Sequence, residues 1–241
     1  MKGVLTVFRR EFRAVFNSPV AWGLIVAFLL FTASWLYFVT GFYAAGMADL
    51  SAYFGLMPVV LAFVVPALTM RSWAEEARLG TAELLLTLPL GEVELVVGKF
   101  LASFAVVAIA VLLGLPVPLM AGLLGSFDPG ILLGQYLGVL LVAAAATAIG
   151  QWVSSRARNQ VSAFLAGTLL LLLLLVLIDR ISAFAGAGGL LASLLNWLSL
   201  SRHWQGFGRG VLDSRDLAYY LAVTFFFLYL TAWTLGRRKW S

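Results

Sequence analysis

The 241-residue sequence predicts an all-α membrane protein with six transmembrane helices, and three observations carry that expectation. It is 62% hydrophobic and only 11% charged, against roughly 45–50% and about 25% in ordinary soluble chains. Six separate stretches of about bilayer length contain no Asp, Glu, Lys or Arg. None of the six shows the period-2 alternation of a membrane barrel, and their Leu- and Ala-rich character is helical. With a mean hydropathy of +1.00, 16 basic and 11 acidic side chains cannot cover a soluble fold of this size. A soluble enzyme and a disordered tail are excluded. The absence of Cys removes a disulfide-stapled domain and any thiolate metal site as well.

The elements follow in order. Residues 1–18 place Val4, Leu5, Phe8, Phe12, Val15 and Phe16 on one side of a helical wheel, with Lys2, Arg9, Arg10 and Arg13 opposite. That pattern is an amphipathic helix lying in the membrane interface, at the least a passive anchor. Ser18-Pro19 turns the chain into the bilayer. The first span, 20–43, is 24 residues long, which exceeds the roughly 7–15 of a signal-peptide core. It is read as a span despite the small residues Ala44-Ala45-Gly46 behind it. Spans at 51–70, 100–127, 131–155, 159–178 and 217–235 complete the set, the third kinked at Pro116 and Pro118.

Six spans put both termini on one side, together with twelve of the sixteen basic residues. Arg180, Arg202, Arg209 and Arg215 fall on the other side. The asymmetry predicts cytoplasmic termini in a cytoplasmic (inner) membrane. The net charge of +5 is then a topology signal against the lipid bilayer and calls for no nucleic acid.

Two connections are too structured to be plain loops. The outer loop, 179–216, opens on a Gly186–Gly189 patch and continues into an apolar stretch, 190–200, containing Leu195 and Trp197. As a helix that stretch covers about half a bilayer, so it is interfacial or re-entrant. His203, the single histidine, has no Cys or carboxylate beside it in sequence and builds no metal site. It is read with Trp204 as an anchor at the outer interface.

The coupling region, 71–94, lies between spans two and three. Glu75 and Arg78 are three apart and pair across one helical turn. Gly80 interrupts the helix, and Thr81 suits the N-cap of a second short helix with Glu83 in its first turn. Leu84, Leu85 and Leu88 form an apolar edge, closed by Pro89-Leu90-Gly91. From the residues alone this is a solvated connection or a protruding helix-turn-helix that docks a partner.

The segments Pro66–Arg71, Trp73–Glu76, Gly80-Thr81, Glu83–Pro89 and Gly98-Lys99-Phe100 resemble the ABC-2 type permeases, membrane subunits of ATP-driven exporters. With Arg10-Glu11-Phe12, Phe16–Pro19, Ala148-Ile149-Gly150, Ser154-Ser155, Asn159-Gln160, Ser199-Leu200, His203, Phe207 and Gly210–Asp213, they are similar to the subgroup associated with gliding motility. The resemblance implies a separate ABC ATPase subunit that binds ATP and Mg and receives the 73–88 segment in a surface groove. Trp73, Glu75, Glu76, Arg78, Gly80, Thr81, Glu83, Leu84 and Leu88 are the coupling residues it implies. It also implies re-entrant helices at the outer mouth, carrying Leu195, Trp197, His203 and Trp204. Two permease copies, as a homodimer or a heterodimer, would surround the pathway, and an auxiliary membrane subunit is compatible with the same likeness.

The chain agrees in lacking its own ATPase site. Its Gly98-Lys99 is followed by Phe100 and has Val93 where a P-loop needs Gly. Uncharged spans argue against ion-coupled secondary transport, which places ionisable groups at mid-membrane depth. No catalytic constellation argues for a membrane enzyme. The expectation is a permease subunit without catalysis of its own. The alternative is a non-transporting component that uses ATPase docking for mechanical or signalling work.

Overall fold

The computed structural model describes residues 2–39, 50–81, 91–122, 128–184, 189–208, 210 and 213–239, and every regular element among them is helical. Six of these helices, or unions of helices, are long and apolar enough to cross a membrane. α1 (Lys2–Phe16) is the amphipathic segment, and α2 (Pro19–Ser34) is the first span, with Pro19 in its first turn. The missing N–H of Pro19 removes no helical bond there. A π-helical turn, Trp35–Val39, continues α2 outward.

The second span, α3 (Ser51–Thr69), is followed by α4 (Arg71–Leu79) after a single residue, Met70. Met70 keeps helical dihedrals, φ −55° and ψ −29°, and its N–H reaches Pro66 O at 2.8 Å. The expected protruding hairpin is therefore, in its first half, an extension of span two. α4 stops at Gly80, whose φ of +69° is left-handed and favours glycine.

α5 (Glu92–Leu113) begins eight residues before the predicted start of span three at 100. Glu92 and Glu94 suit its first turn, and Lys99, the charge that set the predicted boundary, is inside the helix and buried. The predicted kink falls at Gly114-Leu115, where the two N–H groups turn to Val111 O and Leu112 O. α6 (Pro116–Gly122) then starts on Pro116.

α7 (Pro129–Arg156) is capped by Asp128, which accepts from Gly130 N at 2.8 Å, and forms the centre of the bundle. It touches α3, α4, α5, α8, α11 and α12. Small residues allow this, with Gly134, Gly138, Ala143, Ala145, Ala146, Ala148, Gly150 and Ser154 all buried on its surface. A Cβ at Gly138 would lie 2.7 Å from both Phe207 and Trp204. α8 (Gln160–Leu172) is capped by Asn159, continues through a π-helical turn, Leu173–Leu177, and ends as α9 (Ile178–Phe184).

Beyond α9, the described residues of the 179–216 connection form α10 (Leu190–Leu198) and α11 (Leu200–Gly208) before span six, α12 (Ser214–Lys239). α10 exposes Leu194, Trp197 and Leu198, with Leu195 half-buried. α11 buries Leu200, Trp204 and Phe207. His203 and Trp204 take different partners. Trp204 points into the groove at Gly138, while His203 Nδ1 lies 2.7 Å from Asp216 Oδ1 and its ring stacks on Tyr219 at 3.8 Å. The carboxylate comes from α12, which no local pattern shows. Tyr219 and Tyr220 donate to Leu198 O and Leu200 O, pinning the α10–α11 junction to span six.

Candidate functional site

The densest polar cluster joins α1, α4 and α5 at one end of the bundle, and its hub is Lys99. An ammonium that is only 2% exposed must find partners within the protein. Lys99 Nζ donates to Glu76 Oε1 at 2.7 Å, to Ser72 O at 2.9 Å and to Glu11 Oε1 at 3.3 Å. It also sits 4.8 Å from the centre of the Trp73 ring. Arg10 pairs with Glu11 and approaches Glu76 Oε1 at 3.9 Å. One cation thus ties the interfacial helix and the extension of span two to the head of span three.

Local sequence explains the geometry. Gly98 lets α1 lie directly on α5, since a Cβ there would come 2.7 Å from the Val7 side chain and 3.1 Å from Val4 O. Glu11 is then carried on α1 to the lysine one residue along. Ser72, Trp73 and Glu76 fall on one face of α4 by helical spacing. The start of α4 is held from a third direction by α7. Ser154 Oγ accepts from the N–H groups of Trp73 and Ala74 at 3.2 Å each and donates to Met70 O at 3.1 Å. A serine 80 residues away thereby serves the capping role that Met70 has no side-chain oxygen for. Gln151, one turn earlier on α7, donates to Val96 O of α5 at 3.3 Å.

The sequence-predicted coupling residues divide into two sets. Trp73 is 3% exposed, and Glu76 is mostly enclosed, so both face the membrane domain. Arg78, Leu79 and Gly80 are exposed, and Glu75 is partly so, its carboxylate 4.0 Å from Arg78. Thr81 donates to Glu76 O at 3.4 Å and so closes α4. Glu83, Leu84 and Leu88 lie outside the described residues. Lys99, Glu11 and Ser154 are site members that sequence reasoning passed over as site residues. A lysine directly behind a glycine at the head of an apolar run was the available signal for the first.

Burial raises the pKa of both carboxyls, yet the two end on opposite sides of the ordinary value. At Glu11 the charges of Lys99 and Arg10 outweigh burial and the pKa is lowered. At Glu76 burial prevails, despite the shorter contact with Lys99, and the charge on Glu11 adds to it. Its second oxygen, Oε2, is buried without a hydrogen-bond donor among the described residues, which penalises the ionised form. As pH falls from neutrality, Glu76 protonates first, around its raised value. The folded cluster binds that proton more tightly than the unfolded chain, so this step favours folding. Glu11 acts oppositely. Its stabilisation is present above the ordinary carboxylate value and is lost as pH falls through the lowered one. Carboxylate infrared or Glu-labelled NMR titration is expected to show two separated steps, with Glu76→Gln removing the higher and Glu11→Gln the lower. A single step at the ordinary value would contradict the assignment.

Among the described residues no cluster of His, Asp and Glu suited to a metal ion occurs. What the cluster offers is a linkage between helices. The sequence matches the family described as ABC-2 family transporter protein over residues 45–200, more than half of the chain. The chain belongs to the ABC-2 transporter family. A search of curated proteins finds no match. This ABC-2 protein is accordingly an integral membrane permease component of an ABC transporter, and such membership implies partnership with an ABC ATPase. The matched range contains α4 and the Lys99 and Ser154 sites, while Glu11 and Arg10 on α1 precede it.

Proposed function

We propose that this ABC-2 permease works as two copies around a substrate pathway and exports its cargo. It is driven by a separate ATPase that binds ATP and Mg and engages the 73–88 segment. The observation that carries the reading is the linkage of α4. It extends span two, is bound through Lys99 to α1 and span three, and is capped by Ser154 of span four. A push on the rim of α4 made by Arg78, Leu79 and Gly80, with the half-exposed Glu75 beside them, therefore reaches three spans through short polar contacts. Such a segment moves as a unit with the bundle, as a coupling element must.

The expected result is co-purification with an ABC ATPase and stimulation of ATP hydrolysis in the assembled complex. Cargo movement into or out of proteoliposomes, lost when the partner's hydrolysis is blocked, separates export from mechanical or signalling work. ATP-driven stimulation without transport of any cargo would favour the latter. Orientation is tested separately. A cysteine at Ser193 or Ser214, both exposed, is expected to label from outside the cell. One at Thr87 is expected to label only from inside. The reverse pattern would overturn cytoplasmic termini in an inner membrane. Kinship with the gliding-motility-associated permeases stays within this proposal and would be supported by an accompanying auxiliary membrane subunit.

A further inference from the structure

A second polar site lies away from the Lys99 cluster, where α7 ends and α8 begins. An open cleft of about 570 Å³ lies there, lined by Arg156, Arg158 and Asn159 at the helix ends and by Trp152, Ala166 and Leu170 further along the two helices. Both guanidinium groups are exposed. Neither forms an ion pair with a carboxylate among the described residues, and no Asp or Glu lines the cleft. This contrasts with the cleft beside Lys99, which is lined by Glu11, Glu75 and Glu76 and so carries its own counter-charge.

Three features make the mouth selective for an anion. Arg156 is held over the Trp152 ring at 5.5 Å, which orders a side chain that otherwise samples many rotamers. Arg158 stands two residues along, in the short link between the helices. The N-terminus of the 13-residue α8 opens on the same mouth, capped by Asn159 accepting from Ser162 N at 2.8 Å. The wall makes it selective for an amphiphile. From Ser162 to Leu170 the groove follows α8 for about 12 Å at 1.5 Å per residue, and its polar character is lost on the way. A cation-lined helix junction at a span end, continuing into an open apolar groove along α8, has the shape and charge to seat one lipid molecule from the bilayer.

We infer that this α7–α8 cleft is a binding site for an anionic glycerophospholipid, with Arg156 and Arg158 on the phosphodiester and an acyl chain against Trp152, Ala166 and Leu170. The site is independent of ATPase coupling and holds whether or not α4 docks a partner. Basic pockets between spans generally take such headgroups.

The experiment uses the full-length permease, purified alone, in nanodiscs of phosphatidylcholine with or without phosphatidylglycerol. Spin-labelled phosphatidylglycerol is expected to show a motionally restricted component that spin-labelled phosphatidylcholine lacks. Arg156→Gln with Arg158→Gln is expected to weaken that component by roughly 30-fold in affinity, from two cation contacts at the membrane surface. Arg156→Lys with Arg158→Lys, which keeps the charge, is expected to retain most of it, so a folding defect in the first variant leaves the proposal testable. Glycerol phosphate without acyl chains is expected to compete weakly, because it leaves the apolar wall uncovered. Equal restriction of both lipids, or full competition by glycerol phosphate, would overturn the inference. So would an unchanged lipid component in the glutamine variant accompanied by loss of ATPase binding, which would make the cleft a protein contact.

Discussion

Lys99→Met is expected to detach α1 and α4 from the head of span three and to abolish stimulation of the partner ATPase. The substitution keeps the length of the side chain and removes its charge, leaving Glu11 and Glu76 enclosed with only the half-exposed Arg10 as a shared cation. Removing one member of a buried ion pair costs about 3–5 kcal/mol. The lower end applies here, because the carboxylates keep 21% and 16% of their surface exposed and are partly screened. Burial, no longer opposed by Lys99, is also expected to move the Glu11 pKa upward. Hydrogen exchange in the purified permease is the direct measurement, with faster exchange confined to α1, α4 and the first turns of α5. Lys99→Arg is expected to rescue only in part. The larger planar fork must fit between the Ser72 carbonyl at 2.9 Å and the Trp73 ring, where a compact ammonium sits now. Unchanged exchange and ATPase stimulation in Lys99→Met would show that the cluster is not the linkage.

Trp73→Ala is expected to produce the second large effect, through loss of packing. The ring is 3% exposed and packs with Val7, Leu95, Val96 and Phe100, so its deletion opens a cavity. Losses of about 3–5 kcal/mol accompany such Trp or Phe truncations. The permease is expected to melt at lower temperature in detergent even without a partner. By contrast, Glu75→Lys with Leu79→Asp alters the exposed rim of α4. That pair is expected to leave the melting temperature within a degree or two, as surface changes do, while weakening ATPase co-purification. The two variants separate holding the coupling helix from presenting it. If Trp73→Ala lowered ATPase binding at unchanged stability, Trp73 would belong to the docking surface.

Apolar periodicity placed α1, and long uncharged runs placed the six spans, because each depends only on neighbours along the chain. Gly80 was equally readable, since a left-handed stop is a local matter. Lys99 shows where this kind of reading ends. Counted as a boundary charge, it lies instead inside a helix, because Glu11 from 88 positions earlier and Glu76 from 23 earlier pay its desolvation. The partner of His203 was out of reach for the same reason, its carboxylate arriving from another helix.

What the sequence determined by itself is the solvent of each segment. A run of some 20 apolar residues has no stable place but lipid, and the scattered charges must lie where the runs stop. Which charge meets which, and which face of α4 is left free, was decided only by the tertiary structure. The small residues of α7 and Gly98 on α5 set how closely the helices approach. At that distance Lys99 and Ser154 turn Trp73 and Glu76 inward and leave Glu75, Arg78 and Leu79 at the surface. Buried polar groups must find partners across the fold, and local sequence carries no record of a partner supplied by another helix.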